Sequence, residues 1–324
     1  MPLNTDIAQY FATLASEVPP FAGATPTVTE RRTRMDWIAA RYVTPVPSGV
    51  SVRELSIDLP GRSLPARLYR PQSSGDSEGK TLPLLVYYHG GGWVVGNVDT
   101  HHALTATLAQ EAGLAVLSVL YRKAPEHVFP APCDDAYEAL VWAHAHAEAL
   151  GADPDKLAVG GDSAGAHLAT GVALRARDDA APNLAFQLLL YPCIEPDFTT
   201  PSMAANANGP GLTANDMAWY WRALMGVENN DFPPLASPAL TQRAYPARAE
   251  RLQGLPPAYI VTAEYDPLKD DGERYAALLK AAGVPVEAVL AEGLTHGFAR
   301  QQGQVPAARA HVAWAAQALK RALA

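Results

Sequence analysis

From about residue 84 onward, short continuous apolar runs alternate with helical stretches, and this rhythm limits the chain to few folds. The runs fall at 84–88, 115–121, 157–160, 186–191, 258–263 and 286–290. Helical patterns occupy 101–112, 134–150, 164–177 and 268–282, and a last helix covers about 305–323. A strand that is apolar at every position is buried on both faces, so its sheet needs a layer of helices on each side. Strands separated by helices lie parallel. Residues 50–59 and 64–69, joined at Pro60 and Gly61, add an antiparallel hairpin. The expected class is α/β, with a mostly parallel sheet of eight strands.

Two segments lie outside this rhythm. Residues 1–45 read as two helical pieces broken by Pro19, Pro20 and Pro26. More than sixty residues separate the runs ending at 191 and starting at 258, with a helix at 214–225. An insertion of that length between sheet strands usually has a task, and covering a site is the common one. Residues 73–79 (SSGDSEG) read as a solvated loop.

Composition excludes several functions. Hydrophobic residues make up 48% of the 324 and charged residues 18%, enough apolar matter for a large core. The net charge of −8 argues against a nucleic-acid or anionic-membrane surface. Two cysteines, Cys133 and Cys193, support neither a disulfide framework nor a zinc site. There is no run of 18 apolar residues to span a bilayer. The first basic residue is Arg31, so the amino terminus lacks the charged start of a secretory signal, and the expected location is cytoplasmic.

The chemistry begins at Gly161-Asp162-Ser163-Ala164-Gly165, where the apolar run 157–160 gives way to a helix. G-x-S-x-G at a strand-to-helix turn presents a serine hydroxyl at the sheet edge, and the glycines admit the tight backbone this requires. A bare glycine turn with an incidental serine remains the alternative. A rarer signal follows the run 84–88: His89-Gly90-Gly91-Gly92-Trp93. Side-chain-free N–H groups can approach an oxyanion there, and the expected donors are Gly91, Gly92 and Ala164. His89 is expected to orient the loop.

A base for Ser163 has to come from later in the chain. His311 lies inside the last helix and His167 points into the fold one turn from Ser163, which leaves His296, in the loop after 286–290. For the acid, the run 258–263 ends near Glu264 and Asp266; Asp266 is preferred and Glu264 is its rival. Pro267 suits the first turn of the next helix, and Asp270 and Asp271 are explained by that helix's dipole. Trp93, Leu268 and Phe298 are expected as pocket walls. Phe11, Phe21 and Trp37, with Met217, Trp219, Tyr220 and Trp221, are available to cover the site.

Together these segments resemble the hormone-sensitive lipase family of α/β-hydrolases, in its bacterial GDSAG branch. Tyr121-Arg122, Ala124-Pro125-Glu126, Phe129-Pro130-Ala131, Asp266-Pro267-Leu268 and His296-Gly297-Phe298 complete the match from about 80 to 300. Lys123 stands where an apolar residue is more usual. The resemblance implies an α/β-hydrolase domain over 46–324, and a helical cap made of residues 1–45 and an insertion at about 195–230. It implies a carboxylesterase without metal or cofactor, acting on small or medium acyl esters and often a homodimer. An amidase or deacetylase would use the same machinery. A ligand-binding protein on a retired hydrolase scaffold, as the plant gibberellin receptors resemble, would lack the base that His296 supplies here.

Overall fold

The computed structural model describes residues 2–21, 26–72 and 81–324, so the loop expected at 73–79 lies outside the described residues. Two helices open the chain, α1 (Thr5–Glu17) and α2 (Val28–Arg41). Each has a side-chain cap, Asn4 accepting from the N–H groups of Asp6 and Ile7, and Thr27 forming a reciprocal box with Glu30. Such caps satisfy N–H groups left over at a helix start.

The hairpin β1 (Val50–Leu59) and β2 (Arg62–Pro71) turns where expected, with Leu59 opposite Arg62. The elements that follow are β3 (Leu82–Tyr88), α3 (His102–Ala112), β4 (Ala115–Val119), α4 (Ala131–Ala145), α5 (Ala147–Leu150), β5 (Ala152–Asp162), α6 (Ala164–Asp178) and β6 (Phe186–Leu190). Then come α7 (Pro201–Ala205), α8 (Ala214–Met225), α9 (Pro238–Ala244), β7 (Ala258–Tyr265), α10 (Lys269–Ala281), β8 (Val286–Thr295) and α11 (Pro306–Ala322). The eight strands form one sheet in the order β1-β2-β4-β3-β5-β6-β7-β8. β2 runs antiparallel to both β1 and β4; β4, β3, β5, β6, β7 and β8 are mutually parallel.

Alternation along the strands divides the core. Leu84, Val86 and Tyr88 of β3 join the face packed by α4, α6 and α10; Leu85 and Tyr87 join the face packed by α3 and α11. Among the described residues no helix is long and apolar enough to cross a membrane.

The structure corrects several boundaries. β5 and β8 are longer than their apolar runs, because their ends carry polar or small residues that still pair in the sheet. The helix expected over 134–150 divides at His146. Pro267 precedes α10 instead of lying in its first turn. The segment between β6 and β7 holds three α-helices, of which sequence periodicity singled out only α8.

Helix α2 is fastened to three places. Arg32 donates to the carbonyls of Val94 and Ala124 and pairs with Glu126. Arg31 pairs with Asp216 of α8 at 2.9 Å and lies 4.3 Å from the Trp219 ring. Asp36 accepts from the Asn97 side chain.

Candidate active site

Ser163 is the single residue between β5 and α6, with φ 54° and ψ −120°. A non-glycine residue at positive φ is costly, and it persists only where the surroundings hold it. Here the Ser163 N–H donates to Leu190 O at 2.9 Å, and its carbonyl accepts from His167 N at 3.0 Å. Gly165 shows why the turn is glycine-bound: a Cβ there would lie 1.9 Å from the carbonyl oxygen of Tyr88. The tight crossing of α6 over β3 leaves no room for a side chain.

His296 follows β8 directly. Its Nδ1 lies 2.7 Å from Asp266 Oδ2, and its Nε2 lies 2.8 Å from Ser163 Oγ. A carboxylate only accepts, so Nδ1 carries the proton, and Nε2 is left to accept from the serine hydroxyl. Asp266 is 0% exposed, and its other oxygen accepts from Leu268 N at 2.8 Å. The Tyr191 ring stands edge-on to the imidazole, 4.9 Å between centroids. Glu264, the rival acid, instead accepts from Gly293 N at 2.7 Å and braces β8.

Facing Ser163 is the loop 89–93. Among the described residues, no acceptor in the chain takes the N–H of Gly91, Gly92 or Ala164. Val94 and Val95 donate to the carbonyl of Gly91, folding the loop into a tight turn. At Gly92 a Cβ would fall 2.2 Å from the Tyr220 ring, so α8 closes over this loop. Lys123 donates from Nζ to Gly96 O at 2.7 Å, which accounts for a lysine there.

The residues expected as pocket walls are set back from the surface: Trp93 is 0% exposed, Leu268 1% and Phe298 1%. Trp93 donates to His167 Nδ1 and packs on Trp221, while Phe298 packs between Tyr191 and His311. Trp93 and Leu268 belong to the core on one face of the sheet and Phe298 to the core on the other. Trp221 and Met217 are likewise buried. Phe21 lies under the Arg34 guanidinium and Trp37 is 37% exposed, both on a groove between α1 and α2 that includes none of Ser163, Asp266 and His296. Of the aromatics expected to cover the site, Tyr220 lies against Gly92, and Phe11 lies against Gly211, whose Cβ position is 4.0 Å from His296 O.

His167 is a packed histidine: Nε2 donates to Ala244 O at 2.9 Å, and burial pushes its pKa down to about 4. Burial also lowers His311 to about 4 and His89 to about 3. Asp270 and Asp271 do more than answer a helix dipole. Asp271 accepts from Ile194 N, and burial pushes its carboxyl well up; Asp270 accepts from Ser202 N. Both moor the insertion to α10. Sequence reasoning also missed Asp162 and His101, buried together behind Ser163.

A family model described as the alpha/beta hydrolase fold matches residues 85–300. Esterase LipI of Mycobacterium tuberculosis is 44% identical over 264 residues, covering 82% of this chain and 80% of that protein. Ethyl acetate hydrolase of Pseudomonas putida is 38% identical over 266 residues, covering 81% and 80%. The crystal structure of a thermostable esterase from Pseudomonas putida superposes with TM-score 0.89 at 33% identity, covering 100% of this chain and 98% of that one. The hyperthermophilic esterase from the archaeon Pyrobaculum calidifontis gives TM-score 0.88 at 37% identity over 100% of both. By sequence, sheet order and site geometry alike, the chain belongs to the α/β-hydrolase family, in its hormone-sensitive-lipase-like group of carboxylesterases.

Proposed function

We propose that the protein hydrolyses short- to medium-chain acyl esters, with Ser163 as nucleophile, His296 as base and Asp266 as the acid that orients it. The observation that carries this reading is the continuous line Asp266–His296–Ser163, at 2.7 and 2.8 Å, ending on a strained elbow. As Ser163 Oγ attacks the ester carbonyl, His296 Nε2 takes its proton, and Asp266 stabilises the imidazolium. The N–H groups of Gly91, Gly92 and Ala164 receive the oxyanion, each worth about 3 kcal/mol of barrier. His296 then protonates the leaving alcohol, and water repeats the cycle on the acyl-enzyme.

We assign α1, α2 and α8 to a two-part cap. The Arg31–Asp216 pair between α2 and α8 supports this, as does Tyr220 against Gly92. A capped, largely apolar pocket rewards each added methylene by about 0.8 kcal/mol until it is full. A p-nitrophenyl ester series should therefore peak in kcat/KM below long chains, and a maximum at palmitate would refute the cap reading. Fluorophosphonate labelling lost in Ser163→Ala, followed by a panel of esters and anilides, tests the activity. An enzyme that cleaves anilides faster than esters would be an amidase.

A further inference from the structure

Behind the elbow sits a second histidine–carboxylate couple that takes no part in the acyl-transfer steps above. Asp162 immediately precedes Ser163 and is 2% exposed. Its Oδ1 accepts from Tyr87 OH at 2.8 Å and from Gly90 N at 2.9 Å, and its Oδ2 faces His101 Nε2 at 3.2 Å.

His101 is 1% exposed, and its other nitrogen, Nδ1, faces Thr100 Oγ1 at 2.9 Å and Asn97 O at 3.3 Å. The single Thr100 hydroxyl proton goes to Asn97 O at 2.8 Å, so Oγ1 meets the ring as an acceptor. Asp162 is an acceptor as well. Nε2 of the ring therefore donates to the buried carboxylate, whose ionised oxygen makes the bond a charge-assisted one. Hydrogen bonds of this kind are about twice as strong as neutral ones. Burial pushes the Asp162 carboxyl up, but His101 outweighs this and holds it well below the usual carboxylate range.

Gly90 is gripped at both ends. Asp162 takes its N–H, and His89 Nδ1 donates to its carbonyl at 2.9 Å. The next two residues are the oxyanion donors Gly91 and Gly92. One carboxylate thus links the residue before the nucleophile to the residue before the donors, and its histidine partner is buried with it. A shift of about 1 Å in such a frame costs about a hundredfold in rate.

We propose that Asp162 and His101 are positioning residues, whose buried couple sets the separation between Ser163 and the N–H groups of Gly91 and Gly92. The couple therefore acts on the tetrahedral intermediate and leaves ground-state binding alone. This rests on the esterase reading above.

The test compares wild type with Ser163→Ala, Asp162→Asn, His101→Leu, His101→Gln and Tyr87→Phe. It measures kcat and KM for p-nitrophenyl butyrate, melting temperature, and inhibition by an alkyl trifluoromethyl ketone, whose serine adduct carries the oxyanion. Asp162→Asn and His101→Leu should lose about a hundredfold in kcat, with KM within about twofold and ketone affinity falling in parallel. His101→Gln, which keeps a donor toward Asp162, should recover most of that loss. Unchanged ketone affinity in a folded Asp162→Asn or His101→Leu protein overturns the proposal, as does a loss confined to KM. If those two variants fail to fold, Tyr87→Phe decides: a smaller loss with the same split supports the proposal, and wild-type values for kcat and ketone affinity overturn it. Full hydrolysis by Ser163→Ala would remove the esterase reading itself, and the proposal with it.

Discussion

Replacing Asp266 by asparagine changes one atom type and almost no volume, so its effect isolates the charge and the direction of one hydrogen bond. Both carboxylate oxygens are in use, one by Leu268 N at 2.8 Å and one by His296 Nδ1 at 2.7 Å. An amide can keep the Leu268 bond only by turning its NH2 toward Nδ1–H, donor against donor. The ring then rotates or moves its proton to Nε2, which no longer accepts from Ser163. The imidazolium of the transition state also loses its anion. At about 4 Å between charge centres and an effective dielectric of about 20, that loss is about 4 kcal/mol. It corresponds to about a thousandfold in rate, and the misdirected tautomer takes the expected fall in kcat toward ten-thousandfold, about the size such a change has in a serine–histidine–aspartate site. The assay is steady-state hydrolysis of p-nitrophenyl butyrate, with thermal melting to establish that the variant folds. Glu264→Gln is the companion: its side chain can still accept from Gly293 N, so kcat should stay near wild type. An Asp266→Asn enzyme keeping more than about a tenth of wild-type kcat, or losing less than Glu264→Gln, refutes the assignment.

Ser163→Ala and His296→Ala should each abolish nearly all hydrolysis, and the double variant should lose little more, because a base has no work without its nucleophile; multiplied losses in kcat would separate the two residues. Gly165→Ala should cost about 3 kcal/mol or more, since the Tyr88 carbonyl leaves a methyl no space. Gly113→Ala, at φ 69° with nothing within 4 Å, should cost only about 1 kcal/mol, and equal melting temperatures for the two would contradict the packing argument. Acid should destabilise the fold through His167, whose pKa falls from 6.5 to about 4 on folding. As pH drops below 6.5 the unfolded chain binds a proton that the folded chain refuses, so stability is lost until about pH 4 and then levels off. By pH 5 the loss from this residue is about 2 kcal/mol, and a denaturation midpoint independent of pH between 7 and 5 would show the reasoning to be wrong.

Legibility followed physical locality. The sheet could be read because its central strands are apolar on both faces, a pattern carried by consecutive residues. The Ser163 elbow and the 89–93 loop could be read because their geometry excludes side chains, and strings of glycine record that exclusion. The placing of Asp266 and His296 beside Ser163 follows from the order of elements, since each stands where a strand ends. Asp162 and His101 escaped because their meaning is a contact across 61 residues, with no local pattern to mark it. The burial of the expected pocket walls was hidden for a related reason. Trp93, Leu268 and Phe298 adjoin the reacting residues in sequence, but direction from the backbone decides what a side chain faces, and theirs are turned into the core. Asp271 was credited to a helix dipole because nothing nearby in sequence announces Ile194 as its partner.

The fastening of α2 bears on the order in which the molecule is made. Arg31 and Arg32 are synthesised before every one of these partners, which come 62 residues later at Val94, 94 later at Glu126 and 185 later at Asp216. The arm therefore has to wait, undocked, until the loop beyond the oxyanion glycines and then α8 have been synthesised and folded. The central parallel strands β3, β4, β5 and β6 pair with one another through no residue of α2. In evolutionary terms α2 is a late-docking cassette, joined to the rest of the chain by a few polar pairs, and its exchange between relatives requires only that the partners of Arg31, Arg32 and Asp36 be kept.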